Sequence, residues 1–273
     1  MPDFTAADVK KLRDATGAGM MDAKRALQEA DGVFDDAVEV LRVKGQAKVA
    51  KRGAERTASN GLIAAAEGAM IELGCETDFV AKNEAFQTLA GDIVAHVVAT
   101  GVSDVDKLLD ETLKDGRTVR DNVDSLGAII GEKLELKRAV VLDGHVATYL
   151  HRKASDLPPQ LGVLVQFTGD DPEVARVAAM QVASMKPSYV SRDEVSPEAI
   201  ETEKRVAEAK AREAGKPDAA IARIVEGSLN AFFKDNVLGE QDSIQDPKRS
   251  VQAVLGDAGV NVTRFARFEV GEV

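Results

Sequence analysis

The sequence contains no tryptophan, one cysteine and three histidines among its 273 residues. The single cysteine, Cys75, excludes an intramolecular disulfide and a zinc cluster built from cysteines. The three histidines, His96, His145 and His151, do not have the spacing of a metal-ligand motif. We therefore expect neither a bound metal nor a resident cofactor. Aromatic residues make up only 4% of the chain, so an exposed aromatic side chain would require an explanation.

The chain also lacks a net excess of positive charge and long apolar runs. The net charge is -11, whereas a general nucleic-acid binder needs an excess of Lys and Arg on one face, so no direct contact with nucleic acid is expected. No run approaches the roughly 18 apolar residues of a spanning helix. The N-terminus lacks the basic flank and apolar core of a signal peptide. The expectation is a cytoplasmic protein without membrane contact.

Sequence motifs for phosphate binding and nucleophilic catalysis are missing. Gly215-Lys216-Pro217 lacks the Ser or Thr of a phosphate-binding loop, and no Gly-x-Gly-x-x-Gly follows a predicted strand. Cys75 ends an apolar run with no histidine near it in sequence, which favours an inert buried thiol over a nucleophile. The sequence therefore predicts a protein that is not an enzyme.

The first 55 residues predict three helices. Thr5 and Asp8 have the spacing of a capping box at the start of the first helix. The segment TGAG at 16–19 ends that helix, and apolar residues at helical spacing predict a second from about Met20 to Ala30 and a third from near Phe34.

A cationic stretch follows these helices. It consists of Arg42, Lys44, Lys48, Lys51, Arg52 and Arg56. One interpretation is an electrostatic contact with an acidic partner or with RNA. The favoured interpretation is a solvated helix face that leads into a linker.

Residues 56–142 predict a first α+β unit. Apolar runs at 61–66 and 69–75 flank Glu67-Gly68, which is typical of a tight β-hairpin turn. Helices are predicted up to about Ala99 and over 119–130, before a strand at 134–142.

Residues 143–273 repeat this order, with strands at 145–150 and 161–167, a helix from Pro172 and a strand at 260–270. The octapeptide SLGAIIGE at 125–132 matches SVQAVLGD at 250–257 in its pattern of Ser, apolar, Ala, Gly and acidic positions. We interpret the two halves as a duplicated α+β unit with antiparallel sheets. The second copy carries an inserted antiparallel helical hairpin at about 196–234. The predicted fold class is α+β, with domains at 1–55, 56–142 and 143–273.

Two segments resemble the signatures of the elongation factor Ts family. They are LRDATGAGMMDAKRAL at 12–27 and ELGCETDFVAKN at 72–83. Weaker matches continue to the RFEV at 267–270, so the resemblance covers essentially the whole chain. It implies a ubiquitin-associated-like N-terminal domain, a two-part α+β core and nucleotide exchange on the GTPase elongation factor Tu. Some members continue into a further helix that docks on this GTPase, and the resemblance implies that this contact is absent or replaced here.

The resemblance also implies the contact residues. Thr77, Asp78, Phe79 and Val80 would meet elongation factor Tu near its Mg²⁺ site, with the Phe79 ring inserted between helices. Leu12, Met20 and Met21 would hold the same partner, since adjacent methionines cannot both face one helical core.

Alternatives remain for these residues. Phe79 could be a core residue at a helix start, and both methionines could be partly tucked under the third helix. His151, which ends a strand before a long loop, is a weaker candidate for a contact of the second core half.

The partner expectations are elongation factor Tu and either a homodimer or a dimer of heterodimers. The alternative functions are an RNA-associated protein, which would use the helix around 42–56, and a chaperone-like scaffold, which would use the helical hairpin.

Overall fold

A computed structural model describes residues 4–52 and 57–272, without the side chains of residues 46–52. Contacts group the chain into two compact units. The first takes in the residues up to Leu142, the segment Leu150–Gly162 and the residues from Phe268 onward. The second consists of Asp143–Tyr149 and Val163–Arg267. The predicted domain boundary at 55/56 lies outside the described residues, and the predicted domains stay a prediction.

The first unit begins with three helices, α1 (Ala6–Thr16), α2 (Met20–Glu29) and α3 (Phe34–Arg52). The predicted capping box is confirmed: Asp8 Oδ2 accepts from the backbone N of Thr5 at 2.7 Å, and Thr5 Oγ1 accepts from the backbone N of Asp8 at 3.3 Å. Gly17 ends α1 with φ of 72°, a left-handed conformation that a glycine adopts without strain. The apolar faces of the three helices form one small core.

The first sheet has the order β1-β2-β3 and is antiparallel. Its strands are β1 (Asn60–Ala66), β2 (Ala69–Cys75) and β3 (Glu135–Val141). Glu67 and Gly68 join β1 to β2 with φ of 41° and 83°, which fits the predicted two-residue hairpin turn. Every residue of β2 is buried, because this strand is central in the sheet.

Four helices accompany this sheet: α4 (Asp78–Ala81), α5 (Glu84–Thr100), α6 (Val105–Asp110) and α7 (Val119–Ile130). The predicted inward face of α5 is confirmed, since Phe86, Leu89, Ile93 and Val97 are all buried in the core. Two features differ from the prediction. Helix α4 is a single turn separate from α5, because Asn83 caps the start of α5. Helix α6 was not predicted, because its six residues are too few to show helical periodicity.

Helix α3 packs closely against α7. Gly45 of α3 lies so near the backbone of Ala128 that a Cβ atom there would overlap the Ala128 carbonyl. Glycine therefore permits a closer approach of the two helices than any larger residue would allow. Helix α7 therefore contacts the N-terminal helices through α3, while its own buried residues belong to the core that includes the first sheet.

The second sheet has the order β4-β5-β6, with strands β4 (His145–His151), β5 (Leu161–Thr168) and β6 (Asn261–Glu269). Helices α8 (Pro172–Met185) and α11 (Val251–Asp257) lie between β5 and β6 in the chain. In each half the chain therefore forms a β-hairpin, then helices, then a closing strand. The central strand of each sheet, β2 or β5, lies between the first hairpin strand and the closing strand. This arrangement confirms the predicted α+β fold with two small antiparallel sheets.

The inserted helical hairpin is also present, as α9 (Pro197–Glu213) and α10 (Asp218–Asn236). Pro217 occupies the N-cap position of α10, one residue earlier than the first helical turn predicted for it. Within the described ranges, no helix has the length and apolar character needed to cross a bilayer.

Candidate partner-binding site

Phe79 is the most exposed large apolar side chain among the described residues, with 79% of its surface accessible. It lies on α4, which starts three residues after the end of the buried strand β2. The interpretation of Phe79 as a core residue is therefore wrong. Leaving an aromatic ring in water forgoes the roughly 1.5–3 kcal/mol that its burial would contribute, so this exposure requires a reason outside the fold.

The opposite side of α4 is fixed in the core. Val80 is 5% exposed and Ala81 is fully buried. This corrects the expectation that Val80 contacts a partner directly, since its side chain packs inward and holds the turn in place. Asn83 then begins α5, where its Oδ1 accepts from the backbone N of Ala85 at 2.9 Å and of Phe86 at 3.3 Å.

The entry to α4 is held by Glu132, which follows the C-terminal end of α7. Glu132 Oε2 accepts from the backbone N of Glu76 at 3.2 Å and of Thr77 at 3.1 Å. Its Oε1 accepts from the Thr77 hydroxyl at 2.7 Å. In return, Glu76 Oε1 accepts from the backbone N of Lys133 at 2.7 Å. The Thr77 side chain is thus engaged within the protein, and we refer to this set of bonds among residues 76, 77, 132 and 133 as the carboxylate clamp.

Sequence reasoning missed the carboxylate clamp. Its two halves are more than fifty positions apart in the chain, and no local pattern links them. The one available signal was an acidic residue directly after the glycine that ends α7, a position where a helix end is fixed and a side chain can reach outward.

Asp78 lies beside a small surface ion-pair network. Lys82 Nζ is 3.6 Å from Asp78 Oδ2 and 2.6 Å from Asp156 Oδ2. The hydrogen bond with Asp156 is the main cause that raises the pKa of Lys82, and the same bond lowers the pKa of Asp156. These groups are solvent-exposed, so the pairs orient side chains more than they stabilise the fold.

Cys75 immediately precedes this segment and is fully buried. Its Sγ lies 3.1 Å from the carbonyl oxygen of Thr77. Burial, followed by the nearby negative charge of Glu132, raises the pKa of the Cys75 thiol to about 12. A nucleophile requires thiolate near neutral pH, so this residue has the environment of an inert core thiol.

The N-terminal candidate residues divide into two kinds. Met20 is 47% exposed and Met21 is 63% exposed, at the start of α2. Both methionines thus offer an exposed, adaptable apolar surface, and their role in a contact stays a prediction. Leu12 is fully buried in the three-helix core, which corrects the expectation that its side chain contacts a partner.

The turn that leads to the methionines adjoins the segment that follows α4. A Cβ atom at Gly17 would overlap the side-chain amide of Asn83 and lie 3.3 Å from Cγ1 of Ile130. The α1–α2 turn therefore packs against the α4–α5 junction, and the two exposed apolar elements belong to one compact unit.

His151 is exposed at the end of β4, as predicted, and its carbonyl oxygen accepts from the backbone N of Gln160 at 3.0 Å. Its role in a contact stays a prediction. In the cationic stretch, Lys44 pairs with Glu29. The side chains of Lys48, Lys51 and Arg52, and all of Arg56, lie outside the described residues.

Over the part of the chain that the structure describes, no group of three or more His, Cys, Asp or Glu residues is arranged to hold a metal ion. The exposed features around α4 and α2 include the apolar side chains of Phe79, Met20 and Met21. Such an arrangement suits contact with another macromolecule better than binding of a small anionic ligand.

Comparison with known proteins points to a single family. The family model described as "Elongation factor TS" matches residues 76–272. A curated protein named "Elongation factor Ts" from Nocardia farcinica is 58% identical, and one from Saccharopolyspora erythraea is 56% identical. Another with this name, from Mycobacterium tuberculosis strain H37Ra, is 54% identical. Each of these alignments covers 100% of this chain and 100% of the relative.

Proposed function

The chain belongs to the elongation factor Ts family of translation elongation factors, and on this premise we propose that it binds elongation factor Tu–GDP and promotes release of the GDP. The observation that carries the proposal is the Phe79 ring, exposed on a turn whose residues Val80 and Ala81 are buried. A rigidly held apolar projection is suited to insertion into a partner, because little conformational entropy is lost when it binds.

The proposed insertion acts on the magnesium ion of the partner. Mg²⁺ bridges nucleotide phosphates and protein in such GTPases, and it requires nearly ideal octahedral geometry. A ring that displaces the elements carrying its ligands would weaken the hold on both the ion and the phosphates. Asp78 is adjacent to the ring and its side chain is 47% exposed, so its carboxylate is available to the same region of the partner.

One aromatic ring cannot supply all the required free energy. Burial of Phe79 contributes about 1.5–3 kcal/mol. A nucleotide bound at nanomolar affinity is held by about 12 kcal/mol, and a 10⁴-fold weakening requires about 5.5 kcal/mol of coupling. A second contact must therefore hold the partner in its distorted form. Met20 and Met21 are our candidates for that contact, and His151 is a further candidate.

Reciprocal coupling completes the cycle. If this protein weakens the binding of nucleotide to elongation factor Tu, nucleotide weakens the binding of this protein by the same factor. GTP binding would then release the exchange factor for another round. No covalent step is required, and the inert environment of Cys75 agrees with an exchange factor that has no catalytic site of its own.

The proposal is tested by stopped-flow release of a fluorescent GDP from elongation factor Tu. We expect Phe79→Ala to lower the release rate at saturating exchange factor at least several-fold, with an unchanged melting temperature because the ring makes no core contact. Ile244→Ala removes another exposed apolar side chain, in the second compact unit, and should release GDP as the unaltered protein does. An unchanged rate for Phe79→Ala would reject the role of the ring.

A further inference from the structure

Helix α4 is too short to be stable by itself. It contains four residues, Asp78–Ala81, whereas isolated helices shorter than about 12 residues are marginal in water because nucleation of the first turn is unfavourable. Phe79 is exposed and cannot anchor the turn through its own packing. Val80 and Ala81 anchor the buried side of the turn, and bonds from neighbouring segments can fix its entry and so the direction of the ring.

Glu132 is well placed to provide this restraint because it is itself held rigidly. Gly131 ends α7 with φ of 82°, and the backbone N of Glu132 donates to the carbonyl of Gly127 at 3.2 Å. The carboxylate therefore projects from a fixed helix end. It reaches Glu76 and Thr77, the two residues that join β2 to α4.

We propose that Glu132 is a positioning residue for Phe79: its carboxylate fixes the entry to α4 and thereby presents the ring in one orientation. This inference rests on the proposed function for the role of the ring, but the restraint itself can be measured without a partner. The two carboxylate oxygens accept three hydrogen bonds from Glu76 and Thr77, two of them from backbone N–H groups. Bonds to an ionised acceptor are stronger than bonds to a neutral one.

The chemistry of the carboxylate makes a graded prediction for variants. Glu132→Gln keeps one carbonyl oxygen as acceptor but replaces the other oxygen by an NH₂ group, which cannot accept from Thr77 or Glu76. Glu132→Ala removes all three bonds that the carboxylate accepts. If Glu132 positions the ring, disorder at position 79 should increase from the unaltered protein to the Gln variant and again to the Ala variant.

The absence of tryptophan from the sequence allows a direct measurement. Phe79→Trp introduces a single reporter at the exposed position, and time-resolved anisotropy detects its motion on the nanosecond scale in the free protein. We expect Glu132→Ala in this background to raise the amplitude of the fast component about two-fold, with Glu132→Gln intermediate. Glu213→Ala, which alters an exposed glutamate near the end of α9, is the matched control and should leave the amplitude unchanged.

The consequence for exchange is tested by a double-mutant cycle. Glu132→Ala should lower the GDP release rate several-fold when Phe79 is present, but by less than about two-fold in a Phe79→Ala background, because residues that act as a unit are not additive. A general loss of structure would instead lower the rate by the same factor in both backgrounds and would also lower the affinity for nucleotide-free elongation factor Tu.

The outcomes separate the two proposals. Unchanged anisotropy in the Glu132→Ala protein, or equal effects in both arms of the cycle, would overturn the positioning role. A Phe79→Ala protein that exchanges normally would reject the wedge, while the anisotropy series would still decide whether Glu132 orders this turn. If Glu132→Ala does not fold, Thr77→Val serves as the second variant, because it removes only the 2.7 Å hydroxyl bond to Glu132. It should give a smaller increase in the fast anisotropy component. An unchanged amplitude in Thr77→Val would contradict the proposal.

Discussion

The carboxylate of Glu72 is fully buried in the first sheet, and its Oε2 accepts a hydrogen bond of 2.6 Å from Nε of Arg138. The two residues face each other across β2 and β3. The Arg138 guanidinium also lies 4.5 Å from the centre of the Phe268 ring and donates to the carbonyl of Glu269 at 2.9 Å. Glu72 Oε1 accepts no hydrogen bond from the described residues, and Lys137 Nζ lies 3.8 Å from it. Arg138 is thus the principal partner of a buried charge.

This pair predicts a large effect of removing the cation. Arg138→Ala would remove the hydrogen-bonded partner of the buried Glu72 carboxylate and leave the Lys137 ammonium at 3.8 Å, and breaking such a buried pair costs about 3–5 kcal/mol. The lower end of this range is expected, because 30% of the Arg138 side chain is accessible to solvent. Urea denaturation monitored by circular dichroism would measure the change in the free energy of unfolding.

The control is a variant that removes both charges. Glu72→Leu combined with Arg138→Leu leaves no buried charge and should be more stable than Arg138→Ala alone. Lys137→Ala removes the more distant cation and should cost less than Arg138→Ala. A double variant as unstable as the single one would show that the loss comes from packing against Phe268 instead of from the buried charge.

The parts of the fold that follow from local chemistry were predicted closely. The β1–β2 hairpin was found from Glu67-Gly68, whose left-handed conformations suit a two-residue turn. Helix α7 was predicted with the bounds that the structure shows, where Thr118 caps its start and Gly131 ends it. Both signals lie within a few residues of the element they define, so a single sequence contains them.

Contacts between distant segments were not predicted. Glu72 lies in the middle of an apolar run, and its partner Arg138 is 66 positions away. The link between Glu132 and Thr77 spans 55 positions. The expected contact set combined Leu12, which is buried, with Met21, which is exposed, because it was taken from a motif and not from the faces of the helices.

The exposed methionines predict a loss of affinity without a loss of stability. Met20→Asp combined with Met21→Asp places two charges in the proposed apolar contact and should weaken binding to nucleotide-free elongation factor Tu at least about ten-fold, as expected for a contact of central importance. Isothermal titration calorimetry would measure the dissociation constant. The melting temperature should change little, because 47% of the Met20 surface and 63% of the Met21 surface are already accessible to solvent.

Two variants in the same helical module test this assignment. Val43→Asp changes another exposed apolar residue, on α3, and should retain the affinity. Leu12→Ala should instead lower stability by about 2–5 kcal/mol, because Leu12 is buried in the three-helix core. Full affinity in the double aspartate variant would remove Met20 and Met21 from the contact.

The thiol of Cys75 predicts a loss of stability at high pH. Burial raises its pKa from 9.0 to about 12, so above pH 9 the unfolded chain loses a proton that the folded chain keeps. The unfolding free energy should therefore fall by about 1.4 kcal/mol for each pH unit between 9.0 and about 12, with no contribution from this group below pH 9. Cys75→Ser does not ionise in this range. The difference between the two proteins, measured by urea denaturation at several pH values, isolates the thiol, and parallel stability curves would contradict its raised pKa.

Two glycines in helix interiors predict opposite effects of the same substitution. Gly91 of α5 is exposed, and a Cβ atom there would meet nothing within 4 Å. Gly91→Ala should raise the free energy of unfolding by about 0.5–1 kcal/mol, because alanine loses less backbone entropy in a helix. At Gly45 the added methyl group would overlap the Ala128 carbonyl. A backbone group cannot move aside as a flexible side chain can, so α3 must shift away from α7.

Gly45→Ala should therefore lower the free energy of unfolding by about 1–3 kcal/mol, the usual cost of overpacking, despite the better helix propensity of alanine. Thermal and urea denaturation of the two variants side by side would measure this difference in sign. Because Glu132 follows the C-terminal end of α7, the shift caused by Gly45→Ala should reach the carboxylate clamp and increase the motion of a tryptophan at position 79, whereas Gly91→Ala should not. If both alanine variants were stabilised equally, the close contact between α3 and α7 would not exist in solution.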